Sequence, residues 1–144
     1  MIDQRTAPLG AFLLRLSLGI MWIAHALLKL VVFTPAGTAK FFESVGLPGP
    51  LAYLVIALEL AGGIAILFGV YGRVVSAALV PVMIGAASVH LGNGWVFSAP
   101  NGGWEYPVFL IAASIAHVLL GDGAFALRRG SVVATRSAKG LAPA

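Results

Sequence analysis

The 144-residue chain contains no cysteine. That excludes disulfides, a thiolate nucleophile, a thiol relay and cysteine-ligated iron–sulfur or zinc sites within the chain. Charge is also scarce: nine Lys and Arg and five Asp and Glu make up 10% of the residues, against 60% apolar. An ordinary soluble domain carries about 25% charged residues, so this set is too small to clothe a domain in water. Mean hydropathy is +0.99. A soluble enzyme, a disordered chain and a nucleic-acid module are excluded together. The formal net charge of +4 is then a topology signal rather than a nucleic-acid footprint.

What is abundant is apolar sequence on all helical faces, with no period-two alternation, which argues for membrane helices over barrel strands. Crossing about 30 Å of hydrocarbon takes roughly 20 such residues. Four stretches are read as spans, at about 8–33, 51–70, 74–91 and 104–120. Gly and Pro punctuate them at Thr34-Pro35-Ala36-Gly37, Gly46-Leu47-Pro48-Gly49-Pro50, Gly69–Gly72 and Pro100-Asn101-Gly102-Gly103. The expected architecture is all-α: one polytopic four-helix membrane domain over 1–130, followed by a basic, mobile tail over 131–144. Arg15 interrupts the first apolar run, and apolar residues continue past Ala24-His25-Ala26, so this span is expected to be retained rather than cleaved as a signal peptide. Arg5, Arg73, Arg128, Arg129, Arg136 and Lys139 fall on the side of the termini. The positive-inside rule therefore predicts cytoplasmic N- and C-termini, with loops one and three outside.

Polar residues inside the spans need a reason, since each Asp, Lys or Arg at a helix centre costs about 2.5–3.5 kcal/mol on insertion scales. At 1.5 Å per residue, His25 and Glu59 both lie about 12 Å inside the outer ends of their spans, and Lys29 about 6 Å. His25 and Lys29 share a face at i, i+4. Glu59 must find a partner on another helix, stay protonated or face water, and Lys29 or protonated His25 is the available partner. His90 and Glu105 lie at the same outer surface. Each has a plain alternative: snorkelling for Lys29, interfacial packing for His90, helix-dipole complementation for Glu105, and an interhelical hydrogen bond for Glu59. Arg15 and Asp122 read as a structural pair or as topology anchors at the inner end, and His117 as a packing histidine. Trp95, Phe97, Trp104 and Tyr106 form either an aromatic belt or a lid over a ring-shaped lipophilic ligand. No HExxH-type spacing supports a metal among His25, Glu59, His90 and Glu105, so none is expected, and there is no haem or dinucleotide motif.

Taken in order, Arg15, His25-Ala26-Leu27-Leu28-Lys29, Gly46-Leu47-Pro48, Glu59-Leu60-Ala61-Gly62-Gly63, Gly69, Arg73, His90 and Asn101-Gly102-Gly103-Trp104-Glu105-Tyr106-Pro107 give a chain that resembles the DoxX family of small four-helix membrane proteins. The likeness runs from about Leu14 to Ala126. Two departures stand out: Ala26 where a glycine is usual, and Gly121-Asp122-Gly123 where a Ser-Leu-Asp-type ending is common. The resemblance implies an inner-membrane oxidoreductase component, or a subunit associated with quinol-oxidase, thiosulfate–quinone or oxidative-stress systems. No haem, flavin or iron–sulfur motif is present, so redox chemistry by this chain alone is not expected. On that reading His25, Lys29, Glu59, His90, Trp104 and Glu105 line a quinone or quinol pocket in the outer half, with Glu59 and His25 as the proton-relay pair. The expected partners are membrane lipid, a quinone, redox subunits or further copies of the chain, and no nucleic acid. Two other readings stay open: a scaffold that recruits a partner protein, and a small lipid or solute carrier.

Overall fold

In the computed structural model, which describes residues 3–128, the chain is all-helical. Its α-helices are α1 (Ala7–Leu27), α2 (Pro35–Ser44), α3 (Leu51–Phe68), α4 (Gly72–His90) and α5 (Glu105–Leu120). A π-helical turn, Leu28–Val32, extends α1, and a 3-10 turn, Leu91–Asn93, extends α4. The basic segment expected over 131–144 lies outside the described residues.

Three of these segments are long and apolar enough to cross a membrane: Ala7–Val32, Leu51–Phe68 and Gly72–Asn93. α5 is apolar but has only 16 residues, about 24 Å at 1.5 Å per residue. It nevertheless runs back along α4. Arg73 Nε donates to the Val118 carbonyl (2.7 Å) at one end, and the Glu105 amide donates to the Trp95 carbonyl (3.0 Å) at the other.

Local chemistry explains the breaks. α3 stops at Gly69, whose φ of +66° is the left-handed conformation that glycine adopts without a Cβ penalty. Three residues, Gly69–Tyr71, then return the chain as α4, which fixes α3 and α4 as antiparallel neighbours. The segment after α1 is not simply a loop. Pro35 opens α2 in the first helical turn, and the Thr34 side chain caps it by accepting from the Gly37 amide (3.1 Å). The break read from Thr34 and Pro35 is real, but the same residues start a helix.

α1 packs chiefly on α3, and α4 on α5, with α3–α4 contacts joining the two pairs. Leu18, Trp22, Ile66, Leu79, Met83 and Leu110 form the buried core. Large apolar side chains such as Leu13, Val31, Leu54, Ile84, Phe109 and Leu119 remain exposed, the pattern of a bundle whose outer faces meet lipid. Small residues bring α1 and α3 together. A Cβ on Gly19 would meet the Leu67 backbone at 2.8 Å, and one on Gly63 would meet the Ile23 amide nitrogen at 2.9 Å. Gly63→Ala is therefore expected to destabilise the protein by about 1–3 kcal/mol, because backbone rather than a pliable side chain opposes it. Gly85→Ala in α4, where a Cβ meets nothing within 4 Å, is expected to be neutral or slightly stabilising. Unfolding midpoints of the two variants in one detergent separate the cases.

The chain has two distinct ends. At the turn end lie the start of α1, the α3–α4 turn and the segment after α5. At the loop end lie α2, the close of α1 and the 94–104 loop.

Candidate functional site

The sequence pattern Leu18, Trp22, His25, Lys29 advances by 4, 3 and 4 residues, which keeps all four on one face of α1 and its π turn. That face looks onto α3 and α5. Lys29 sits in the π-helical turn, where the Phe33 amide bonds back five residues to the Leu28 carbonyl (2.9 Å). Such insertions re-aim side chains and recur at functional sites. Here Lys29 Nζ donates to Glu59 Oε2 at 2.7 Å. The Glu59 side chain is 2% exposed and that of Lys29 19%. The carboxylate is thus buried within α3 and answered by an ammonium from the neighbouring helix, a charge-assisted bond of the stronger kind.

One turn nearer the core, His25 Nδ1 lies 2.8 Å from the Met21 carbonyl. A carbonyl only accepts, so Nδ1 carries the hydrogen and the neutral ring keeps Nε2 as a free acceptor. The ring stacks on Tyr106 of α5, with centroids 5.4 Å apart and planes 17° from parallel. The Tyr106 hydroxyl and the Trp22 indole N–H are both buried without a hydrogen-bond partner. Tyr106 also packs against the core that contains Trp22. The sequence marks Tyr106 by its aromatic character and its place in the Asn101–Pro107 segment; its position against His25 depends on how α5 docks.

The remaining candidates hold the 94–104 loop. Asn93 Nδ2 donates to the Gly102 carbonyl (2.9 Å) and to the Asn101 carbonyl (3.1 Å), and lies 3.3 Å from His90 Nδ1. Glu105 Oε1 accepts from the Phe97 amide (2.9 Å). Trp104 meets Trp95 edge to face at 4.4 Å between centroids. Thus Lys29 and Glu59 are brought together and His25 joins Tyr106, while His90, Trp104 and Glu105 make their polar and aromatic contacts within the loop. Asn93, the clamp, escaped the sequence reading because nothing marks one asparagine after a helix as special.

At the turn end, Arg15 and Asp122 do meet, but not charge to charge. Arg15 Nη1 donates to the Asp122 backbone carbonyl (2.6 Å), and Nη2 to that of Phe125 (3.3 Å). His117 is more than packing: its Nδ1 is 2.8 Å from Ser76 Oγ and its Nε2 is 3.4 Å from Asp122 Oδ1. Among the described residues, no group of three or more His, Asp or Glu is placed to hold a metal ion.

An all-helical bundle with three membrane-length apolar segments, an apolar exterior and a few buried, paired polar groups defines a helical membrane protein. The DoxX family profile matches residues 10–92. The chain is 35% identical over 125 residues to "Putative oxidoreductase CatD" of Bacillus subtilis (strain 168), covering 86% of this chain and 88% of that protein. It is 37% identical over 70 residues to "Inner membrane protein YqjF" of Escherichia coli (strain K12), covering 49% of this chain and 52% of that one. No solved structure matches significantly. The chain belongs to the DoxX family.

Proposed function

We propose that this protein is a multi-pass, redox-associated subunit of a bacterial inner membrane that binds a quinone or a similar ring-shaped lipophile in the outer half of its bundle. α5 makes the fourth crossing, and the turn end faces the cytoplasm. Arg73 and Arg128 support that sidedness, since both lie at the end where α1 begins: the Tyr71 amide donates to the Arg128 carbonyl (3.0 Å), and the Ala124 amide to the Pro8 carbonyl (2.9 Å). The family relation to CatD, an oxidoreductase by name only, supports the redox association.

The observation that carries the reading is the juxtaposition of the buried Lys29–Glu59 pair with the His25–Tyr106 stack. A quinone head offers carbonyl oxygens that accept hydrogen bonds and a flat ring that stacks. Tyr106 O–H and the Lys29 ammonium are donors, and His25 Nε2 is an acceptor for a quinol hydroxyl. Electrons come from a partner redox subunit; Glu59 and His25 take up or release the accompanying protons. His90, Trp104 and Glu105 shape the loop that covers this end.

Tyr106→Phe tests the reading with little effect on the fold, because the hydroxyl it removes has no partner to lose. In nanodiscs, a decyl-substituted benzoquinone is expected to quench tryptophan fluorescence of the wild type saturably. Tyr106→Phe and His25→Ala are each expected to weaken that binding about tenfold, the worth of one good hydrogen bond. Absence of saturable binding, or equal affinity in all three proteins, rejects the pocket.

A further inference from the structure

The turn end buries a second set of polar groups that the outer pocket does not use. Ser76, Ser114 and His117 are fully buried, Arg15 is 1% exposed and Asp122 4%. They come from α4, α5, α1 and the segment after α5. Both carboxylate oxygens of Asp122, together with His117 Nε2, Ser114 Oγ and Arg15 Nε, make no hydrogen bond. A carboxylate withdrawn from water without donors is costly in its charged form, and His117 Nε2 lies 3.4 Å from its Oδ1. Gly72 permits this approach, since a Cβ there would collide with Asp122 Oδ1 and crowd His117 Cε1.

The opposite face of the ring matters as much. A carbonyl beside an imidazole nitrogen fixes its hydrogen, as Met21 does for His25. The partner of His117 Nδ1 is instead a hydroxyl, Ser76 Oγ at 2.8 Å. A hydroxyl donates to a neutral ring nitrogen and accepts from a protonated one by rotating its own hydrogen. The ring is therefore held in one place in either protonation state. The charged groups that face the pair are Arg15 of α1, which spends its Nη donors on the Asp122 and Phe125 carbonyls, and Arg73 of α4, which donates to the Val118 carbonyl; of the others at this end, Arg128 lies over the Tyr71 ring and Asp3 and Arg5 precede α1. Neither Arg15 nor Arg73 bonds the carboxylate. Gly69, just past the end of α3, packs against Arg15: a Cβ there would meet Arg15 Nη1.

We propose that His117 and Asp122 form an internal proton-binding site, distinct from the outer pocket, which takes up one proton from water and gives it back. Uptake forms one N–H bond at His117 Nε2, beside the Asp122 carboxylate, release breaks it, and no electrons move. The acid is carried by a strap, residues 121–128, that closes the turn end. The Ala124 amide bonds the Pro8 carbonyl (2.9 Å), the Leu127 amide the Phe68 carbonyl (3.1 Å) and the Arg128 amide the Gly69 carbonyl (3.0 Å). Lifting the strap carries Asp122 towards water.

The test follows the ring nitrogens of 15N-histidine-labelled protein in nanodiscs from about pH 4 to about pH 9, a range that brackets ordinary histidine titration. The chain has three histidines, and His117→Gln identifies the signal of interest. The wild-type His117 signal is expected to titrate, and Asp122→Asn is expected to move that transition by about one pH unit or more. Ser76→Ala, which spares both members of the pair, is expected to change the tautomer signature at Nδ1. A His117 signal that stays constant with pH in the wild type overturns the proposal, as does a titration that neither Asp122→Asn nor Ser76→Ala alters. Because the wild type alone decides the first point, a misfolded variant leaves the test intact. Quinone binding is not read out, so failure here is separate from failure of the outer pocket.

Discussion

Lys29→Met is expected to destabilise the protein by about 3–5 kcal/mol, whereas Glu59→Gln costs clearly less and the double variant recovers most of the loss. The asymmetry follows from burial. The Glu59 side chain is 2% exposed, with Lys29 Nζ as its ion-pair partner at 2.7 Å. Without the ammonium, a carboxylate nine residues into α3 has no route to water, and the folded state must bear its desolvation or neutralise it. Lys29 is less confined. Its side chain is 19% exposed and springs from the last turn before Phe33, so once freed it can extend along the apolar surface towards the interface. Glu59→Gln therefore exchanges a strong bond for a weaker one without stranding a charge. Equilibrium unfolding of the four proteins in mixed micelles gives the cycle directly. Equal losses from the two single variants would mean that the carboxylate already reaches water, which would also count against the proposed ligand pocket.

Much of this pair was legible in the sequence. With so few charges, a glutamate midway along an apolar span needs a partner, and helical rise alone puts Lys29 within reach of its level. The helical membrane class follows from the same scarcity. Less legible was anything set by the docking of α5. Tyr106 reads as one aromatic residue among four near a loop, and only the packing of α5 on α1 sets it against His25. Ser76 and His117 lie 41 positions apart on separate helices with no local pattern linking them. Asp122 shows how a correct pairing can leave the geometry open. Opposite charge at the same membrane end suggests pairing with Arg15 without saying which atoms meet. Gly121 and Gly123, with φ of +89° and +68°, turn the chain so that its carbonyl meets Arg15 and its carboxylate meets His117. At Thr34-Pro35 the residues that end one helix also carry the cap and first-turn proline of the next, so reading them only as a terminator missed α2.

Arg15→Met carries the other large effect, and it is expected to fall on one segment. Arg15 is the hinge pin of the strap: its guanidinium holds the Asp122 carbonyl at 2.6 Å and the Phe125 carbonyl at 3.3 Å while lying over the Phe12 ring, 5.2 Å from its centroid. Phe125 in turn meets Phe12 edge to face at 5.2 Å. Bonds from a charged donor contribute about 1.5–3 kcal/mol each, so loss of both is expected to cost about 3–6 kcal/mol. Lysine is a poor substitute, because one ammonium lacks the planar fork that spans two carbonyls; Arg15→Lys is expected to recover less than half. The α1–α3 and α4–α5 pairings do not depend on these bonds, so the bundle stays folded while the strap opens. In hydrogen exchange, the amides of Ala124, Leu127 and Arg128, which bond Pro8, Phe68 and Gly69, are expected to exchange at least about a hundredfold faster, with α3 amides unchanged. Uniform acceleration across the chain would assign Arg15 to global stability instead. Unchanged strap amides would show that the backbone bonds and the Phe12–Phe125 contact hold residues 121–128 without it.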